Sequence, residues 1–406
     1  MSDNEDTIRH EAPTRRETIK YGGAVVGGGL LAGCTSGSGT GDTTDGSTDT
    51  SYEVYIEPAG NVRFDSVPET WVAEGGAWVD MGVALGVEDG ILSNGSYPAP
   101  QLFYDVLDIS IDRDASVSFW KDGGYDKEIF YETDADVHFL DPNAIKYWDD
   151  SWDDDDIKEI SEAVGPICGN NCRRRRDFRN DLDYPLYTLY KAFEKVAQVF
   201  QKEDRYEALA EIHDEVLAEV QSRLPPEDER PEIGLINGGS RPTENLFYPM
   251  DLLADGYELK TYRDLGAISA FEDTDGGGSE ADYEYMLEVD PDVLVIHWGI
   301  GNGGTLEQAP ENGHRFDNEL FRETWLEAMQ DHPLGQQLTA VQEERILPGA
   351  WGEQGPIVNL FQIELTARQL YPEEFGEFDP ERYPNVPEEE QLFDRQRVAD
   401  IINGDL

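Results

Sequence analysis

Apolar positions along the chain switch between strict alternation and a three-to-four spacing, and the switches mark out its elements. Tyr52-Glu53-Val54-Tyr55-Ile56 alternates and predicts a strand, Thr70–Ala73 predicts another, and Ala77–Leu85 predicts a helix that Gly86 stops. Asp126–Tyr131 predicts a helix leading into the short apolar strand Asp136–Asp141. Apolar residues at 186, 189, 190, 193, 196, 197 and 200 follow helical spacing. A second helical set at 206, 209, 212, 216, 217 and 220 runs to Leu224-Pro225-Pro226, where consecutive prolines end it. With about 20 residues at 1.5 Å each, this second helix is roughly 30 Å long, enough to run beside two lobes. Beyond it the pattern restarts, with a strand at 232–236, a helix at Leu246–Leu253, strands at 292–297 and 345–349, and a helix from Gly355-Pro356 to Leu370. Strand and helix alternating on both sides of one long helix predict an α/β fold. Its parts are a lobe at 52–202, a spine helix at 203–224 and a lobe at 229–406, with a ligand cleft where the strand ends of the two lobes face each other. The lobes share a phrase: Glu128 lies eight residues before Asp136, as Glu284 lies eight before Asp292, each in a helix that leads into an apolar strand.

The chain ahead of this domain carries a different message. Arg15-Arg16 precedes a 13-residue weakly apolar run, Tyr21–Gly33, and then Cys34. Twin arginines, an apolar stretch and a cysteine stand in the order of an export signal, and Leu31-Ala32-Gly33-Cys34 resembles a lipobox, so lipidation of Cys34 is expected. The run is too short for a membrane span, which needs roughly 20 residues. Residues 1–33 are thus expected to act as a signal, and 34–51, built from small, polar and acidic types, as a flexible tether. The expected location is the extracellular face of the cell membrane, with Cys34 as anchor.

Charge narrows the field of partners. Against 31 Lys and Arg stand 86 Asp and Glu, a formal net charge of −55, and removing residues 1–33 takes away only five acids and four bases. A polyphosphate would be repelled, which excludes nucleic acid as partner. The acids are scattered among Trp, Tyr and Phe, so they describe a solvated surface fit for concentrated salt, where screening removes self-repulsion. Cys168 and Cys172 remain in Cys-Gly-Asn-Asn-Cys. Facing an oxidising exterior they predict a local disulfide, with two thiols or a metal site as the alternatives.

At several points the domain resembles the substrate-binding proteins of ABC importers that handle ferric siderophores, ferric citrate, haem or cobalamin. Pro68–Trp71 with Met81–Gly86 resembles the opening strand and helix of that family. Glu284–Ile296 resembles its second-lobe phrase. Pro348–Gly352 with Gly355 through Pro372 resembles its last strand and helix. The resemblance covers roughly residues 52–375, with long insertions at 88–125 and 141–180. It implies two Rossmann-like lobes on one spine helix, an iron(III) chelate as ligand with haem or cobalamin as alternative, a monomer, no cofactor, and a membrane permease as partner. It also implies that Glu128 and Glu284 dock to that permease.

Candidate ligand contacts follow from residue chemistry. Arg173, Arg174, Arg175, Arg176 and Arg179 reverse the local charge of an acidic chain. Arginine grips carboxylates with paired hydrogen bonds, as a ferric citrate would require, so Arg173 and Arg174 are expected in the cleft. The alternative is surface pairing with Asp177, Asp181 and Asp183. Arg241 follows the end of a strand. Trp78, Trp298 and Trp351 lie near strand ends and Tyr97 lies in a loop, fit to wall a large flat ligand. His297 ends a strand and is the histidine best placed to contact a chelate. No three or four histidines or acids converge in the pattern as a bare metal ion would need. Gly299, Gly301 and Gly304 fit G-x-G-x-x-G, but the polar, proline-containing segment after them offers no helix N-terminus for a pyrophosphate, so a cleft loop is expected. No G-x-S-x-G occurs and no histidine adjoins the cysteines in sequence, so binding is expected and catalysis is not, a tethered enzyme on the same scaffold being the rival.

Overall fold

A computed structural model of the chain describes residues 51–93, 95–111, 117–121, 123–174, 184–271, 279–301, 304 and 316–405. Cys34 and Arg15-Arg16 lie outside the described residues, as do Arg175, Arg176 and Arg179. The described residues, from 51 to 405, form one compact unit.

In the first lobe β1 (Tyr52–Ile56) and β2 (Gly60–Phe64) make an antiparallel hairpin. The chain continues through β3 (Trp71–Ala73), α1 (Gly76–Ala84), β4 (Ile91–Ser93), the small hairpin β5 (Trp120–Lys121) and β6 (Gly124–Tyr125), α2 (Lys127–Thr133), β7 (Val137–Phe139), α3 (Pro142–Trp148) and α4 (Asp154–Ala163). β3 is central, parallel to β4 on one side and β7 on the other. α5 (Leu189–Phe200) packs against β1 and α1 of the first lobe, and α6 (Glu203–Arg223) then leads across to the second. The second lobe contains β8 (Glu232–Asn237), β9 (Pro249–Met250), α7 (Lys260–Asp264), β10 (Ile268–Ser269), α8 (Tyr283–Val289), β11 (Val293–His297), β12 (Ile346–Pro348), α9 (Pro356–Leu370) and α10 (Arg395–Asn403). Its parallel strands run in the order β10-β8-β11-β12, with β9 antiparallel to β8.

The helix expected at Leu246–Leu253 is absent; Pro249 and Met250 instead add to the β8 edge, opposite Ile236 and Leu235. The proline has no N–H for a helix interior but is tolerated at a strand edge, and this decides the matter.

The phrase repeated in both lobes has the same mechanics in each. Asp126 caps α2 by accepting from the Glu128 N–H at 3.0 Å, and Asp282 caps α8 by accepting from the Tyr285 N–H at 3.0 Å. Both helices end on a left-handed aspartate, Asp134 and Asp290. Asp136 then accepts from the Thr70 N–H at 2.9 Å, just before β3, and Asp292 from the Glu232 N–H at 3.1 Å, the first residue of β8. Glu128 and Glu284 stand exposed in the first turns of these helices.

A single apolar core runs through both lobes, from Trp71 and Phe103 to Val295 and Phe361, with a smaller cluster added in each lobe. Within the core α9 buries all fifteen of its residues. Among the described residues no helix is long and apolar enough to cross a membrane.

Candidate ligand-binding site

The parallel strands of both sheets point their C-terminal ends at the junction of the lobes, where residues just past a strand are free of the ladder and can face a ligand. Glu74 and Gly75 follow β3, Ser96 and Tyr97 follow β4, and Asp141 follows β7. With Trp78, Trp148, Asn170, Asn171 and Arg173, and with Tyr257 and Glu353 from the second lobe, they line a cavity of about 180 Å³. A second cavity of about 550 Å³ adjoins it inside the first lobe and shares Glu74, Ser96 and Trp148. Most of the rest of its described wall is apolar or aromatic, chiefly Pro98, Val117, Phe119, Trp120, Tyr125 and Leu140, with Ser93 and Ser118 among them.

Beneath the first cavity lies a buried ionic cluster. Arg173 donates to Glu353 at 2.9 Å and lies 3.5 Å from Glu258, which Arg174 also meets at 3.5 Å. His297 Nε2 stands 3.3 Å from the other Glu258 oxygen. Glu353 further accepts from the Tyr257 hydroxyl at 3.0 Å and from the Ala77 N–H at 3.3 Å, at the start of α1. A Cβ on Gly75 would stand 2.6 Å from a Glu353 oxygen, so glycine is what lets this carboxylate reach α1. Burial opposes ionisation of Glu258, but Arg173, the His297 hydrogen bond and Arg174 outweigh it and hold the carboxyl at about 2. Burial likewise opposes the charge of Arg173, and Glu258 and Glu353 more than offset it. For His297 burial wins, lowering its pKa and favouring the neutral ring. Two acids and two arginines thus balance in a nearly dry site.

The backbone explains how Arg173 arrives there. Cys168 N–H bonds to His138 O at 2.9 Å at the edge of β7, and the chain then crosses until the carbonyls of Cys172 and Arg173 accept from the N–H groups of Tyr257 and Glu258. The two cysteines are therefore drawn toward different lobes. The expected disulfide is not formed: Cys168 and Cys172 are two buried thiols.

Of the residues singled out by sequence, Trp78, Tyr97 and Arg173 meet at the cavity. Trp78 stacks on Phe139 with ring centres 5.7 Å apart. Trp298 and Trp351 lie behind the wall, packed edge to face at 4.6 Å, with Tyr97 5.3 Å from Trp298 and Arg173 5.6 Å over its ring. Trp351 is wholly buried, as is His297, so neither faces the cavity. Arg241 sits apart in an ion pair with Glu244 at 2.9 Å, and Arg174 is drawn behind the wall by Glu258. A Cβ on Gly301 would stand 2.1 Å from the Trp351 ring, which accounts for that glycine by packing instead of phosphate binding. Glu74, Asp141, Trp148, Tyr257 and Glu353 escaped the sequence reading. Glu74 and Asp141 could have been found, being the first acids after two buried strands. Among the described residues no group of three or more His, Cys, Asp or Glu is arranged to hold a metal ion.

Two α/β lobes, one through-going core and a cavity at their facing strand ends define a ligand-binding protein. The family model described as periplasmic binding protein matches residues 76–348, about two thirds of the chain, and the chain belongs to that family. Its fold is similar to that of a periplasmic binding protein from Veillonella parvula, at TM-score 0.53 and 15% identity over 79% of this chain and 98% of that one. It is similar also to the iron uptake ABC transporter substrate-binding protein PiuA from Streptococcus pneumoniae, at TM-score 0.50 and 17% identity over 78% and 97%. The siderophore-binding protein BauB, solved with two acinetobactin molecules and ferric iron, is similar at TM-score 0.50 and 15% identity over 76% and 95%. Among curated proteins none matches the chain.

Proposed function

We propose that this protein is the substrate-binding component of an ABC importer, capturing an iron(III) chelate and handing it to a permease. The observation that carries this reading is the pair of adjoining cavities at the strand ends, the first walled by Trp78, Tyr97 and Trp148 and bounded by both lobes, the second opening beside it within the first lobe. Membership of the periplasmic binding protein family and the likeness in fold to PiuA and BauB support it. The continuous core favours a small rocking of the lobes on ligand binding over wide hinge opening. Glu128 and Glu284, each exposed on a short capped helix of its own lobe, are suited to dock into basic recesses of the permease. Twin-arginine export, lipidation of Cys34 and a tether to residue 51 complete the proposal, with a monomer at the extracellular face of the membrane.

The test is thermal unfolding in molar salt against ferric siderophores, ferric citrate, haem and cobalamin. A ligand present at 100 times its Kd stabilises the folded state by about 2.7 kcal/mol and raises the midpoint. No shift with any of them would exclude the transport role. Release of a Cys34→Ala variant into the medium would test the anchor.

A further inference from the structure

Two helices that meet at the lobe junction each begin without a cap of their own. The N-cap of α1 is Gly75 and that of α9 is Gly355, and neither offers a side chain to the first N–H groups of its helix. Each helix borrows a carboxylate from across the junction. Asp80, on α1 in the first lobe, accepts from the Ile357 and Val358 N–H groups of α9 at 2.9 and 3.2 Å. Glu353, in the second-lobe connection from β12 to α9, accepts from the Ala77 N–H of α1 at 3.3 Å. Both glycines make room for the exchange: a Cβ on Gly75 would stand 2.6 Å from a Glu353 oxygen, and one on Gly355 2.5 Å from an Asp80 oxygen. The two contacts differ in access. Asp80 is wholly buried, its other oxygen accepting from the Tyr104 hydroxyl at 2.7 Å. Glu353 instead lines the first cavity together with Arg173 and Tyr257, which donate to it at 2.9 and 3.0 Å. The connection that carries Glu353 also reaches the first lobe where the Trp351 indole N–H donates to the Tyr97 carbonyl at 3.3 Å.

We propose that Glu353 is a positioning residue that sets the two lobes relative to each other, with the buried Asp80 cap as pivot and the Glu353 cap as the contact that yields. This rests on the reading of a ligand-binding cleft whose lobes rock, and it names the residue on which the rocking turns. A carboxylate shared by donors from both lobes gives the junction two arrangements, made and broken, which is how packed interfaces switch. A ligand in the first cavity bears on Glu353 and Arg173 from the cavity side, so its arrival resets this contact while the Asp80 cap holds. Glu128 and Glu284 then move with their lobes.

Pulsed dipolar spectroscopy tests this on the full chain carrying Cys34→Ala, with spin labels at Glu132→Cys and Glu288→Cys, exposed positions on α2 and α8. Cys168 and Cys172 are buried and stay unlabelled. Without ligand the parent should give one narrow distance. Glu353→Ala should broaden it or move its mean by about 2 Å or more, and Glu353→Gln, which keeps an acceptor for Ala77, should recover much of the parent distribution. Glu364→Ala, which removes a buried acid held by Arg395 within the second lobe, controls for lost stability: it should lower the thermal midpoint and leave the distance unchanged. With ferric citrate and a ferric tris-hydroxamate as probes, a chelate that binds should move the parent distance more than that of Glu353→Ala. An unchanged distance in Glu353→Ala, equal broadening in Glu364→Ala, or an equal ligand shift in parent and Glu353→Ala overturns this proposal and leaves the transport role standing. The expected ligand-free distances, combined with no thermal shift from any ligand of the panel above, support the role of Glu353 and overturn the transport role.

Discussion

The two longest helices follow opposite rules. Of the 21 residues of α6 five are buried, Leu209, Ile212, His213, Val216 and Val220, so one face packs and the rest meets solvent. All fifteen residues of α9 are buried, among them Asn359, Gln362, Glu364, Thr366, Arg368 and Gln369. A helix with so many polar residues normally keeps one face in water. In α9 that face is covered by the C-terminal segment, where Arg395 donates to Glu364 at 2.8 Å and the Leu392 N–H donates to the same carboxylate at 2.8 Å. The first lobe completes the enclosure at the other end. Asp80 of α1 accepts from the N–H groups of Ile357 at 2.9 Å and Val358 at 3.2 Å, capping α9 across the lobe junction, since its own N-cap, Gly355, has no side chain to do so. The lesson is that α6 spans the lobes from outside, whereas α9 locks them from within.

The comparison breaks most sharply at Glu364. Glu364→Ala leaves Arg395 as a buried cation without its carboxylate and should cost about 3–5 kcal/mol in denaturant unfolding. Next comes Asp80→Ala, which strands two helix N–H groups and the Tyr104 hydroxyl and should cost about 1–3 kcal/mol in the same measurement.

Acid should act on the two helices with opposite sign. His213 of α6, with Lys260 Nζ at 2.9 Å, is pushed down to about 3 by burial first and by Lys260 second. Below its unfolded value near 6.5 only the unfolded chain takes up the proton, so this group costs stability as pH falls, by about 1.4 kcal/mol per pH unit. His138, held at about 4 by burial, contributes with the same sign. Asp80 is pushed up to about 7 by burial, against the hydrogen bonds it accepts. Between pH 7 and its unfolded value near 4 only the folded chain is protonated there, so stability is gained as pH falls, by about the same amount per unit. Thermal midpoints from pH 7.5 to 4 in fixed molar salt should fall less steeply in His213→Gln and more steeply in Asp80→Asn than in the parent. Parallel curves would contradict the burial of these groups.

The smallest effect belongs to the outer face of α6. Arg397 reaches Glu211 at 2.9 Å and Glu215 at 2.8 Å, with its side chain 39% exposed. Arg397→Ala should cost less than about 1 kcal/mol and less still as salt rises. A loss there as large as that of Glu364→Ala would erase the distinction between the helices.

What the sequence alone determined is what neighbouring residues decide among themselves. Alternation gave β1 its bounds, helical spacing and a double proline bounded α6, and the repeated phrase around Glu128 and Glu284 announced the matching helix-to-strand units of the two lobes. These are short-range effects, because caps, prolines and periodicity act within a turn or a strand. Trp78 could likewise be chosen from its residue type and position near a strand end, Tyr97 as an aromatic residue in a loop, and Arg173 from the local reversal of charge. The partners that give such residues their roles were out of reach, because Glu258 and Glu353 are distant in sequence from Arg173 and only the folded chain brings them to it. Tertiary structure alone decided that Arg173 is neutralised, that His297 and Trp351 are buried, that Cys168 and Cys172 are drawn apart, and that the polar face of α9 is enclosed. An arginine in a cleft and an arginine locked between two acids share one local sequence, and the difference lies in which distant charges burial leaves beside it.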